Sequence, residues 1–178
     1  MSRRSGLRCY TFIKRRKEKA IGDLARSDVI TLLAGEDSTR CMCIAEDGYI
    51  YAGMDTVGGK VAKVSRSPFQ RVDVVTFPGG IFDRWCPAIV APGDGYVYAA
   101  AGTVPGKIKK IRLSDFTLFD SLTLPGGFQE VLDLTYPGSG DFIYGGTNND
   151  PGRIVKIQLS TFTHFDTETF LAGEANVE

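Results

Sequence analysis

Carboxylates are the side chains of this sequence best suited to chemistry, and the three of greatest interest are Asp83, Glu130 and Asp133. Two carboxylates in neighbouring loops can act as general acid and general base, as they do in hydrolases and lyases. The single histidine, His164, has only Asp166 close by, and no nucleophile stands beside a base in a recognisable pattern. Because catalysis usually needs such an arrangement, the sequence favours a non-catalytic binding protein, with a hydrolase or lyase fragment as the alternative.

A second group of residues suits binding without chemistry. Trp85, the sole tryptophan, lies next to Arg84, and an exposed tryptophan beside arginine is a typical binding anchor. The alternative is that Trp85 fills a gap between two structural units. The predicted binding residues all lie in short segments whose sequences differ between parts of the chain that are otherwise similar to one another. They are Asp55, Asp83, Arg84, Trp85, Glu130, Asp133, Asn148 and Asn149. We expect a protein or small-molecule partner there.

The sequence predicts neither a metal site nor a cofactor. Cys41 and Cys43 would project to one face of a strand, as metal ligands do, but their counterparts in the next copy of the repeat are Ala88 and Val90. Small apolar residues at equivalent positions predict that the thiols belong to the core. The stretch NNDPG at 148–152 is typical of a turn and fits no calcium loop.

An internal repeat must position these residues. Three stretches are near-copies, GYIYAGMDTVGGKVAKV from residue 48, GYVYAAAGTVPGKIKKI from residue 95 and DFIYGGTNNDPGRIVKI from residue 141. Their landmarks step by 47 and then 46 residues, as in Tyr51, Tyr98 and Tyr144, and in Phe69, Phe116 and Phe162. A period of roughly 40 to 50 residues is typical of solenoids and propellers.

Each copy has the pattern of four short antiparallel β-strands, predicted in the first copy at 41–45, 49–53, 60–65 and 71–77. Acidic and glycine residues mark the first turn of each copy. In the third strand Lys or Arg alternates with Val or Ile, which predicts one buried and one solvated face. The recurrent Phe is expected to tuck under its own hairpin.

Units such as VYAAAGTVPGKIKKIRLSDFTLFDSLTL resemble YVTN-type or NHL-like β-propeller repeats over about residues 37–176. They depart from the WD40 pattern, because no Trp-Asp pair closes the third strand. The fold class predicted from the repeat is all-β, a partial β-propeller of three four-stranded antiparallel blades at 37–80, 81–127 and 128–176. A half blade of third and fourth strands is predicted at 21–36, where IGDLARSDVITLLAGE resembles LSTFTHFDTETFLAGE. In such a ring the candidate binding residues gather on one loop-bearing rim.

An incomplete ring leaves apolar faces at both ends, and something must cover them. Either a longer chain supplies further blades, or copies of this chain associate to close the ring. Assembly alone is therefore a further candidate role.

Charge is unevenly distributed along the chain. Residues 1–27 carry nine Lys or Arg against Glu18 and Asp23, a charge of 9 − 2 = +7, and the remainder carries −7. Residues 1–20 are predicted to be a flexible basic segment, and a nucleic-acid contact is less expected than a solubilising terminus because no aromatic platform or recognition helix accompanies the charge. The sequence holds no apolar run of the roughly 20 residues that a membrane span needs, no signal-peptide core and no disulfide pattern, which favours an intracellular protein.

Overall fold

The computed structural model describes residues 28–173, and over this range the chain forms three four-stranded antiparallel sheets. Sheet 1 contains β1 (Thr39–Ile44), β2 (Ile50–Met54), β3 (Lys60–Arg66) and β4 (Phe69–Thr76). Sheet 2 contains β5 (Ile89–Val90), β6 (Tyr96–Ala101), β7 (Lys107–Arg112) and β8 (Thr117–Thr123). Sheet 3 contains β9 (Val131–Thr135), β10 (Phe142–Thr147), β11 (Arg153–Gln158) and β12 (Thr163–Thr169). Strands are ordered sequentially in each sheet, and one 3₁₀ turn (Gly80–Phe82) follows sheet 1.

The first hairpin of sheets 1 and 2 is closed by the same aspartate-glycine turn. In sheet 1 the Asp47 carboxylate accepts hydrogen bonds from the N–H of Tyr49 at 3.2 Å and the hydroxyl of Tyr51 at 2.6 Å. Gly48 has φ +79°, a value that glycine adopts without strain. Asp94 makes the equivalent bonds at the start of sheet 2. The acidic turn therefore fixes the register of the hairpin as well as its reversal.

The apolar core lies between the sheets, in two clusters. Sheet 2 is packed on both faces, so all five residues from Val97 to Ala101 are 0% exposed. For the same reason Lys109 and Lys110 on β7 are 3% and 7% exposed. The prediction of a solvated face for the third strand is thus wrong for the central sheet, because a neighbouring sheet covers each of its faces.

One aromatic contact recurs at both sheet junctions. The ring of Phe116, in the last turn of sheet 2, lies 5.5 Å from the ring of Tyr51 in sheet 1. Phe162 of sheet 3 lies 5.7 Å from Tyr98 of sheet 2. Both phenylalanines have positive φ, 49° and 48°, and both are 7% exposed. The recurrent Phe therefore packs against the preceding sheet and not under its own hairpin as predicted.

Residues 28–38 contain no strand, and they approach sheet 1 through polar contacts. The Arg71 side chain donates to Glu36 at 2.5 to 3.0 Å, and Lys60 donates to the carbonyl oxygen of Gly35 at 2.6 Å. The hydrogen bonds from Arg71 lower the pKa of Glu36 despite its burial. The predicted basic segment at 1–20, and residues 21–27 of the predicted half blade, lie outside the described residues. Among residues 28–173 there is no helix that could cross a membrane.

Candidate binding rim

The loops between sheets and the turns between second and third strands meet along one edge of the molecule, here called the loop rim: residues 55–59, 77–88, 102–106, 124–130 and 148–152. In each sheet a backbone hydrogen bond joins the turn between the second and third strands to the segment that precedes the first strand. The N–H of Asp55 donates to Ser38, that of Gly102 to Trp85 and that of Asn148 to Glu130, at 2.8 to 2.9 Å. These bonds bring most of the predicted binding residues to one rim.

Asp83 lies on this rim but is buried, with 1% exposure. Its carboxylate receives hydrogen bonds from Lys107 Nζ at 3.0 Å and the N–H of Gly79 at 3.2 Å, and Lys109 Nζ lies 2.6 Å away. Burial by itself would raise the pKa of Asp83, but the hydrogen bonds from Lys109 and Lys107 outweigh it and hold the pKa below its usual value. The carboxylate can meet a ligand only if this ion-pair cluster opens.

The other two candidate carboxylates are separate from Asp83. Asp133 lies within β9, where its exposed side chain accepts the N–H of Leu134 at 2.8 Å. Glu130 is half-buried and lines a groove of the loop rim. Within residues 28–173, no hydrogen bond or ion pair joins Asp83 to either of them. Asp83 is instead engaged by Lys107 and Lys109.

Trp85 is half-buried and stacks closely on the backbone of the second sheet. A Cβ placed on Gly102 would lie 2.0 Å from the indole Nε1, so glycine is required at this contact. Arg40 covers the ring, with its guanidinium carbon 5.4 Å from the ring centroid. The Arg40 Nε donates in turn to Asp55 at 3.1 Å. Trp85 therefore joins sheets 1 and 2, as the alternative interpretation expects, and Arg40 lies over it.

The two candidate asparagines differ in their surroundings. Asn149 is 6% exposed, accepts the N–H of Gln129 at 3.1 Å and donates to the carbonyl oxygen of Gly127 at 2.9 Å. Asn148 is only half-buried. Asn149 thus holds the loop between sheets 2 and 3, whereas Asn148 remains accessible to a partner.

A groove of about 600 Å³ opens on the loop rim between sheets 1, 2 and 3. Its apolar lining includes Ile81, Phe82 and Val104, which are 65%, 73% and 71% exposed. Arg84 and Glu130 supply opposite charges to the same lining. Sequence reasoning missed the apolar residues, although two adjacent large side chains after a glycine pair, in GGIF at 79–82, were a usable signal.

The cysteines and the histidine sit in packed surroundings. Cys41 and Cys86 are free thiols with their Sγ atoms 3.8 Å apart. Burial raises the pKa of Cys43 to about 12. The His164 ring contacts Phe128 at 5.5 Å, and its Nε2 lies 2.7 Å from Thr167 Oγ1. In the part of the chain that the structure describes, no group of three His, Cys, Asp or Glu residues could hold a metal ion.

Three radially packed, four-stranded sheets with sequential strand order define a partial β-propeller, as predicted. The chain is similar in fold to the WD40 repeats of RRP9 and to U3-55K, each with 12% identity and a TM-score of 0.62 over 75% of this chain and 39% of the other. It is also similar to hydrazine synthase of Kuenenia stuttgartiensis, with 13% identity and a TM-score of 0.63 over 74% of this chain and 37% of the other.

At these identities the likeness is one of fold alone. The chain spans less than two fifths of the length of each of these three proteins. No protein-family profile and no curated protein matches its sequence.

Proposed function

We propose that this chain is a non-catalytic binding module whose protein partner docks on the loop rim, at the groove lined by Ile81, Phe82 and Val104. The exposure of these three large apolar side chains, 65% to 73%, is the observation that carries the proposal. Contiguous exposed apolar residues with charged neighbours are typical of protein-binding surfaces. Arg84 and Glu130 at the groove would orient the partner through their charges.

A protein partner suits this groove better than a small molecule. Small-molecule sites enclose most of the surface of their ligand, whereas the side chains of Phe82 and Val104 project into solvent. A projecting aromatic side chain instead resembles an anchor that enters a pocket of another protein. The likeness in fold to WD40 repeats agrees with this role.

The hydrolase or lyase alternative has less support. It needs an accessible carboxylate pair over the rim, and Asp83 is engaged by two lysines. Asp133 is exposed on β9, where its carboxylate accepts the N–H of Leu134. The YVTN-type or NHL-like assignment, which concerns the subtype of the repeat, remains a proposal that the spacing of Tyr51, Tyr98 and Tyr144 supports.

Quantitative affinity purification tests the binding role. We expect the wild-type chain to retain a protein that both Phe82→Ser and Val104→Ser lose. Val72→Ser is the matched control, because Val72 is 45% exposed on β4, away from the groove. Retention of no protein, or equal retention by all four chains, would contradict the proposed function.

A second candidate role, assembly into a larger ring, is favoured by the end face of sheet 1. Met42 and Ile44 are 68% and 57% exposed there. At the equivalent positions of sheet 2, Ile89 is 7% exposed and Ala91 packs against the core between sheets. The same face of the repeat is therefore covered in one sheet and open in the other.

A further inference from the structure

A lysine on the third strand of each sheet is surrounded by aromatic rings, an arrangement here called the lysine cage. In sheet 1 the cage holds Lys63, whose Nζ lies 4.1 Å from the ring centroid of Tyr49, 5.6 Å from Tyr51 and 5.7 Å from Phe116. The first two rings belong to the same sheet, and Phe116 comes from the following one. Attraction between an ammonium group and ring faces stabilises such an arrangement.

The cage of sheet 2 is built in the same way around Lys110. Its Nζ lies 4.2 Å from Tyr96, 5.5 Å from Tyr98 and 5.9 Å from Phe119, all in sheet 2. The fourth ring, Phe162 at 5.4 Å, again comes from the following sheet. Each of the two complete cages therefore takes one phenylalanine from the next sheet.

The cage of sheet 3 surrounds Lys156 and has only rings of its own sheet. Phe142 lies 4.1 Å and Phe165 5.1 Å from the lysine Nζ. Tyr144 occupies the repeat position of Tyr51 and Tyr98 and is half-buried. Within the described residues, no phenylalanine from a following sheet reaches this cage, so one ring position is open.

The complementary half of the contact is exposed at the other end of the chain. Phe69 occupies the repeat position of Phe116 and Phe162, yet it is 41% exposed where those two are 7% exposed. Met42 and Ile44 lie on the same face of sheet 1 as Phe69, as the register of its four strands shows. Among residues 28–173, sheet 1 thus offers a phenylalanine that contacts no preceding sheet, and sheet 3 offers a cage without a phenylalanine from a following sheet.

We infer that a second copy of this chain docks head to tail, with Phe69 of one copy entering the Lys156 cage of the other. This inference rests on the assembly role proposed above. The face of sheet 1 that carries Phe69 matches the face of sheet 3 that carries the Lys156 cage. The contacts of sheet 1 with sheet 2, and of sheet 2 with sheet 3, already join these same two faces of the repeat. Two copies provide six sheets, within the range of about four to eight blades in closed propellers, and a head-to-tail contact formed twice closes a ring.

Light scattering coupled to size exclusion, on the full chain over a range of concentrations, tests the inference. We expect the wild type to be a dimer and expect Phe69→Ser and Tyr144→Ser each to raise the dissociation constant at least about tenfold. Val57→Ser is the matched control, since it removes an apolar side chain that is 72% exposed on the loop rim and that belongs neither to the binding groove nor to the Phe69 and Lys156 contact.

Mixing the two variants distinguishes a head-to-tail contact from a self-complementary one. A mixed dimer of Phe69→Ser with Tyr144→Ser has one wild-type interface and one doubly changed interface, whereas each single-variant dimer has a defect at both. The mixture should therefore associate more tightly than either variant alone. Hydrogen exchange of the wild type is the check that needs no variant, and it should become slower at 66–72 and 142–145 as concentration rises, with 117–123 unchanged.

The possible outcomes distinguish failure of the assembly role from failure of the proposed contact. A wild-type chain that stays monomeric at all concentrations overturns both the inference and the assembly role. A dimer that neither variant weakens, or whose protection lies outside 66–72 and 142–145, overturns the Lys156 cage as the contact and leaves the assembly role standing. A mixture that associates no better than the separate variants overturns the head-to-tail arrangement.

Discussion

The carboxylate of Asp83 lies 2.6 Å from the Nζ of Lys109, and the two side chains are 1% and 4% exposed. Asp83 belongs to the loop after sheet 1, whereas Lys109 lies on the third strand of sheet 2. The ion pair therefore joins consecutive sheets through charge, beside the apolar cluster that joins them through packing. Lys107, at 3.0 Å, extends the pair to a cluster of three charges.

Asp83→Asn should destabilise the fold strongly. The change leaves the buried Lys109 ammonium without its carboxylate, and removing one partner of a buried pair costs about 3–5 kcal/mol. Urea unfolding followed by Trp85 fluorescence measures the loss. Asp133→Asn is the control, because Asp133 is exposed and should change the free energy of unfolding by less than about 0.5 kcal/mol. Equal stability of the two variants would show that the Asp83 cluster does not stabilise the fold.

The contribution of Asp83 to the stability of the fold should disappear at acidic pH. Because the pKa of Asp83 is lowered in the folded chain, its stabilisation is fully present above the unfolded value of about 3.9 and falls as the pH drops through the folded pKa. Melting temperatures of the wild type and Asp83→Asn, measured between about pH 2 and pH 6, should converge at the acidic end. A difference in Tm that stays constant over this range would contradict the assignment.

Gly53→Ala should destabilise the junction of sheets 1 and 2. A Cβ at this position would lie 2.5 Å from the Sγ of both Cys41 and Cys86, and a clash of this kind costs about 1–3 kcal/mol. The matched control is Gly126→Ala, since a Cβ there meets nothing within 4 Å. Chemical denaturation of both variants tests the prediction, which fails if Gly53→Ala is as stable as Gly126→Ala.

Asn149→Ala should loosen the loop between sheets 2 and 3. The N–H of Gln129 loses its acceptor, while the carbonyl oxygen of Gly127 keeps a hydrogen bond from Arg153 at 3.2 Å. A fully buried donor left unpaired costs about 1–3 kcal/mol, and the part-buried N–H of Gln129 should cost less than this. Hydrogen exchange of peptides covering 124–130 should accelerate in Asn149→Ala and remain unchanged in Asn148→Ala. The hydrogen-bond role of Asn149 is refuted if the two variants exchange alike.

The repeat period made most of the fold predictable. Four predicted segments of the first copy correspond to β1 to β4, because alternation and glycine-rich turns are local properties of the sequence. The boundaries shift where pairing extends a strand, as in β4, which begins at Phe69 through its pairing with Arg66. Such pairing depends on the geometry of the turn, and the alternation of apolar and polar residues along a strand does not reveal it.

The environment of the site residues was much less predictable. Asp83 resembles an accessible loop carboxylate in sequence, and its burial depends on lysines of β7 that alternation assigns to solvent. The role of Phe116 also depends on a neighbour, Tyr51, that lies in another sheet. Both errors arise because a single repeat does not reveal which of its faces the next repeat will cover.

The contact between Tyr51 and Phe116 has a consequence for how such chains arise by duplication. Each sheet carries one tyrosine and one phenylalanine of this kind, but each of the two finds its partner only in a neighbouring sheet. Addition or removal of one whole repeat, wherever its boundaries are placed, therefore keeps every internal contact of this kind paired.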